Sequence, residues 1–134
     1  MFNLPYHSVC TTSTHDMSPL RSWWKEDRAK IQRYYNNVLG RAGDAPEECT
    51  AEIATQIVAS HLESRSMLTI IPLQDWFAMD DSVKRKDYEA ERINVPSVPN
   101  HYWRYRMHIP LERLMQADSL NNKIIELIKK SGRK

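Results

Sequence analysis

The chain has 134 residues, of which 41% are hydrophobic and 27% charged, the balance of one small globular domain with a modest core. Its formal net charge of +2 is too weak a field to call for a nucleic-acid partner. No apolar run approaches the ~20 residues that span a bilayer, so no membrane is expected as a partner either.

Residues 6–12 mix aromatic, Val, Cys and Thr side chains and predict a short strand. Ser18 suits a helix cap and Pro19 the first helical position. Leu20, Trp23, Trp24, Ile31, Tyr34, Tyr35 and Val38 then recur at three- and four-residue steps, which predicts one long helix ending before Gly40. Packing, not binding, is the expected role of Trp23 and Trp24. Residues 41–46 read as a loop, with Gly43 and Asp44 as turn formers.

A second helix is predicted from Pro46-Glu47-Glu48, where acids complement the dipole, with Ile53, Ile57 and Leu62 as its buried stripe. Met67-Leu68-Thr69-Ile70-Ile71 lacks polar alternation, the pattern of a strand buried on both faces, and Pro72 ends it. Two short apolar strands joined by a helical crossover predict a parallel α/β sheet.

Residues 73–79 predict a short helix. Residues 80–92 carry mixed charges and read as a solvated excursion. Two prolines make residues 94–100 an irregular loop. Leu111, Leu114 and Met115, then Leu120, Ile124, Leu127 and Ile128, predict two helices with Asp118-Ser119 as the cap between them. Lys129, Lys130, Arg133 and Lys134 read as a solvated cationic end.

Cys10 and Cys49 have no metal-ligand spacing, and the five histidines form no His-Glu-x-x-His pattern, so neither a metal nor a cofactor is expected. Residues 1–6 lack the regions of a signal peptide, and the cysteine usage fits a reduced, cytoplasmic compartment. Two parallel strands cannot close a barrel, and left alone they expose edges and an apolar face. A complete (β/α)₈ barrel takes about 250 residues. The expected fold is therefore helix-rich α/β, with residues 1–134 forming the C-terminal strand–helix units of a TIM-type barrel.

The run Thr14-His15-Asp16-Met17-Ser18 sets an imidazole beside a carboxylate where the first strand ends. Barrel enzymes keep catalytic groups at that end of their strands. A capping pair ahead of Ser18 is the alternative. Gln74 and Asp75 follow the second strand at the same end. They either shape a site or satisfy backbone amides at a helix start.

Ser8-Val9-Cys10-Thr11-Thr12-Ser13-Thr14-His15-Asp16-Met17-Ser18 with Arg21-Ser22-Trp23-Trp24 resembles the last catalytic region of the 4-α-glucanotransferases, the amylomaltases or disproportionating enzymes of glycoside hydrolase family 77. The resemblance continues through His61-Leu62-Glu63-Ser64-Arg65-Ser66-Met67 and Pro72-Leu73-Gln74-Asp75. It resumes at Arg92-Ile93-Asn94-Val95-Pro96 and His101-Tyr102-Trp103-Arg104-Tyr105-Arg106. Its flavour is that of the large form found in plant cytosol and Bacteroides-like bacteria. Ser97 stands where the common loop pattern has Gly, and His101-Tyr102 also departs from it.

The resemblance implies a retaining transfer of α-1,4-glucan segments between maltodextrin chains, with three carboxylates at work. It maps the third onto Asp16, while the nucleophile and the acid/base match no residue here. The implied partners are α-1,4-glucan substrates and the remainder of the barrel, and the isolated chain is expected to be inactive. His15 is expected to donate to a sugar hydroxyl, with Gln74, Asp75 and Asn94 around the site. Trp103 is either a sugar platform or a loop anchor, and Arg104 either pairs with a loop carboxylate or is solvated. Two rival readings remain open: a standalone maltodextrin-binding or interaction domain without catalysis, and a hydrolase that passes the glycosyl group to water.

Overall fold

Two three-residue strands, β1 (Val9–Thr11) and β2 (Leu68–Ile70), pair in parallel with Val9 opposite Leu68 and Thr11 opposite Ile70. The crossover between them holds α1 (Leu20–Glu26), α2 (Arg28–Asn37) and α3 (Ala51–Leu62). After β2 come α4 (Leu73–Phe77), a 3₁₀ turn at Glu89–Glu91, α5 (Leu111–Met115) and α6 (Asp118–Ser131). The computed structural model describes residues 3–133. The expectations resting on Met1 and Lys134 lie outside the described residues.

One core joins the helices. Trp24 and Ile31 from α1 and α2 meet Ile53, Ile57 and Val58 from α3, with Phe77 of α4, Met79 from the turn after it and Leu120 of α6 closing it. Each such apolar side chain contributes ~1.5–3 kcal/mol on burial. The helix-rich α/β class and the parallel crossover agree with the sequence pattern.

Several local expectations are corrected. The single long helix is two, because Asp27 leaves helical geometry (φ −143°, ψ 101°) and its side chain accepts the Lys30 amide at 3.0 Å. An Asp that can cap a new helix competes with the continuing one. Ser18 caps nothing: its hydroxyl donates to Glu26 and accepts from Arg92 Nη1 at 2.5 Å. α3 begins after Thr50, which accepts the Ile53 amide at 3.3 Å, and not at Pro46.

β2 is not buried on both faces, since Leu68 is 48% and Ile70 59% exposed. Residues 80–92 are not wholly solvated: Asp80, Val83 and Glu91 are buried. Ser119 does not cap α6; its hydroxyl donates to Asp80 Oδ2 at 2.6 Å. Arg133 is no free cation either. It donates to the carbonyls of Leu62 (2.6 Å), Ser64 (2.8 Å), Ser66 (2.8 Å) and Met67 (3.3 Å).

Candidate active site

The turn after β1 is closed by the Met17 amide on the Thr14 carbonyl at 3.0 Å, and it holds His15 and Asp16 outward. Both side chains are about half exposed, with His15 Nε2 3.4 Å from Asp16 Oδ2. Asp16 Oδ1 accepts from Asn94 Nδ2 at 2.7 Å. The Asn94 amide in turn donates to the His15 carbonyl at 3.2 Å, so the loops after β1 and after the 3₁₀ turn are stitched twice. The His15 ring lies 5.0 Å from the Trp103 ring, tilted by 42°.

Four expected site residues, His15, Asp16, Asn94 and Trp103, thus meet on one open face. Neither His15 nor Asp16 caps α1. Its first amide, on Leu20, is taken by Asp75 Oδ1 at 2.8 Å. Trp103 is 60% exposed and leans on His15. Arg104 stands apart from the four and pairs with no carboxylate among the described residues. Its guanidinium sits 5.1 Å above the Tyr102 ring.

Gln74 and Asp75 lie beneath this face, at the start of α4, and are buried. Besides the Leu20 amide, Asp75 Oδ2 accepts the hydroxyls of Thr12 and of Ser13 (3.1 Å). Three donors from the end of β1 and the start of α1 therefore converge on one carboxylate. Burial pushes its pKa up, and those three hydrogen bonds pull against the shift. Gln74 Nε2 donates to the Glu91 carbonyl at 3.1 Å.

Glu91 is joined through Oε1 to Arg21 Nη1 at 2.7 Å, while its buried Oε2 meets no partner among the described residues. Burial raises the Glu91 pKa to about 7 against the pull of the Arg21 guanidinium.

Arg92 opens one of the motifs quoted from the sequence but is given no role there. Its Nε donates to the Asn94 carbonyl at 3.0 Å and its Nη1 to Ser18, tying the Asn94 loop to the start of α1. Its adjacency to Asn94 in the chain was the available signal. It also borders a cleft of about 500 Å³ shared with Met17, Trp23 and Tyr34, the last two packed edge to face at 5.1 Å. Trp24 is buried and Trp23 packs against the core, both as expected, and Trp23 also borders this cleft. Among the described residues no group of three or more His, Cys, Asp or Glu side chains is placed to hold a metal.

An open carboxylate beside an imidazole, an amide and an exposed aromatic face is suited to a polyhydroxylated ligand. Its oxygens accept from hydroxyls, its amide and imidazole orient them, and its indole covers an apolar ring face. The sequence of residues 1–112 matches the model of a family described as 4-alpha-glucanotransferase. The chain is 41% identical over 128 residues to the 4-alpha-glucanotransferase DPE2 of rice, covering 96% of this chain and 14% of that relative. It is 30% identical over 118 residues to a 4-alpha-glucanotransferase of Chlamydia trachomatis, covering 86% of this chain and 21% of the relative. Its fold matches an amylomaltase from Streptococcus agalactiae solved in complex with acarbose, with a TM-score of 0.71 at 19% identity, over 98% of this chain and 23% of that one. The chain therefore spans less than a quarter of each of these relatives.

Proposed function

Because this chain belongs to the 4-α-glucanotransferase family, we propose that it supplies the C-terminal strand–helix units of a TIM-type (β/α)₈ barrel that transfers α-1,4-glucan segments. The observation that carries this reading is the open Asp16 carboxylate, fixed by Asn94 and flanked by His15 and Trp103 at the end of β1. Residues 1–134 form one part of that catalytic barrel. The exposed apolar side chains of Val9, Leu68 and Ile70 are where its remainder packs. The compartment is cytoplasmic, in keeping with the unpaired thiols Cys10 and Cys49.

The transition state of a retaining transfer is oxocarbenium-like, with a distorted sugar ring. Asp16 accepts hydrogen bonds from hydroxyls of that ring through the oxygen that Asn94 leaves open, and His15 donates to a hydroxyl of the same sugar. These contacts speed transfer to the extent that they tighten in the transition state. Trp103 stacks on a neighbouring glucose. Asn94 sets the carboxylate angle, Gln74 and Asp75 hold the loop floor, and Arg104 borders the sugar path. The nucleophile and the acid/base come from the remainder of the barrel. Shielding of the glycosyl intermediate from water decides for transfer over hydrolysis.

The test is Asp16→Asn in the whole polypeptide that carries this chain, assayed by maltotriose disproportionation. Turnover is expected to fall by orders of magnitude with the melting temperature kept. A near-wild-type rate would remove Asp16 from the mechanism.

A further inference from the structure

A hollow of about 440 Å³ opens beside the Asp16 face, lined by Arg85, Arg92, His101, Arg104, Tyr105 and Arg106. No carboxylate lines it. The neighbouring acid, Glu91, is buried and engaged with Arg21. Arg92 Nη1 is partly answered by Glu26 Oε1 at 3.9 Å, while Arg85, Arg104 and Arg106 enter no ion pair among the described residues and repel each other unless an anion sits among them.

Their fixation favours an anion with several oxygens, able to accept from more than one guanidinium at once. Arg92 is held by the Asn94 carbonyl and Ser18, and Arg85 Nη1 donates to the Arg106 carbonyl at 3.2 Å. Arg104 sits over the Tyr102 ring. Each of these keeps N–H groups to spare, since a guanidinium carries five. The Arg106 side chain is exposed and enters no ion pair among the described residues. Burial raises the Tyr105 phenol pKa, so that its hydroxyl stays a donor. Arginine forks match the oxygens of a phosphate bidentately, and a dianion answers several of them at once.

We propose that this hollow binds a phosphate dianion borne as an ester on a sugar. Its position ties the group to the glucan path: Arg92 touches the residue that holds Asp16, and Arg104 follows Trp103 in the chain. The inference rests on the glucan-transfer reading for the sugar and on the arginines alone for the phosphate.

The test is a binding titration by calorimetry on the whole polypeptide, at low salt, with inorganic phosphate, glucose 6-phosphate and a phosphorylated maltodextrin. Saturable binding of all three is expected, weakening as salt rises. Arg106→Gln is expected to weaken each by about tenfold or more, and Arg85→Gln/Arg106→Gln further. Circular dichroism checks that both variants fold. Tighter binding of the phosphorylated maltodextrin than of the other two assigns the hollow to a glucan-borne ester. Equal binding assigns it to the free anion and overturns the glucan part. Absence of saturable binding, or affinity unchanged in both variants, overturns the site. Maltotriose transfer by the wild-type protein is scored separately, so a failure of the transfer reading leaves the phosphate result readable.

Discussion

Asp75 caps a helix to which it does not belong. Its Oδ1 accepts the amide of Leu20, 55 residues earlier, and thereby fixes the start of α1 against the start of α4. The same side chain holds the hydroxyls of Thr12 and Ser13, the residues that lead into His15 and Asp16. The floor of the site is thus an acid that is 1% exposed.

Asp75→Ala should therefore destabilise strongly. It leaves the buried Leu20 amide and Ser13 hydroxyl and the half-buried Thr12 hydroxyl without their acceptor, at ~1–3 kcal/mol for each buried group left unmet. A loss of ~3 kcal/mol or more is expected in urea unfolding of the whole polypeptide. A change under ~1 kcal/mol would mean that water replaces the carboxylate.

Glu91 gives the protein a pH-dependent term. Its folded pKa of about 7 lies above the ordinary 4.5, so between those values the folded state binds more protons than the unfolded one. Stability from this group is fully present below pH 4.5 and is lost as pH rises through about 7. Asp75, whose pKa is also raised, leans the same way. Melting temperatures of wild type and Glu91→Gln across pH 5 to about 8 should show the Gln variant gaining on the wild type as pH rises. A constant offset contradicts this.

Cys49 should be chemically silent. It is buried, and burial, with the nearby Asp75 carboxylate adding to it, pushes its thiol up to about 12. The thiolate is the reactive form. In the native protein at pH 8, peptide mapping after iodoacetamide should show Cys49 unmodified, with full labelling only after denaturation. Rapid native labelling would mean that the α2–α3 region opens.

On the proposed reading, in which Asp16 is one of three carboxylates and the other two lie in the remainder of the barrel, the isolated chain should not catalyse glucan transfer. Incubation with maltotriose should leave the sugar unchanged. A ladder of longer and shorter maltodextrins would refute this. Millimolar or tighter maltodextrin binding without transfer would instead favour a binding domain built on Tyr102 and Trp103, both exposed.

Much of this was legible in the sequence where pattern and physics agree. The α1–α3 stripe of Leu20, Trp24, Ile31, Ile53 and Ile57 is the observed core, and the parallel crossover follows from two apolar strands around helices. The juxtaposition of His15 and Asp16 with Asn94 was readable through the family resemblance. The break between α1 and α2 is not legible because apolar spacing runs on through Asp27, and spacing is blind to a polar residue that can cap. β2 was misread because apolar composition reports what a strand can bury, and not what covers it. The roles of Asp75 and Glu91, and the tie from Arg92 to Ser18, depend on partners 17 to 74 residues away, which local patterns do not encode.

Arg133 bonds four carbonyls between Leu62 and Met67, the turn that delivers the chain into β2. That turn borrows its donors from a residue some seventy positions downstream. Closing so long a loop carries an entropic cost that local contacts do not face, and it slows the step that depends on it. The entry to β2 is therefore held from beyond α6, and whatever loosens the end of that helix loosens the approach to the sheet as well.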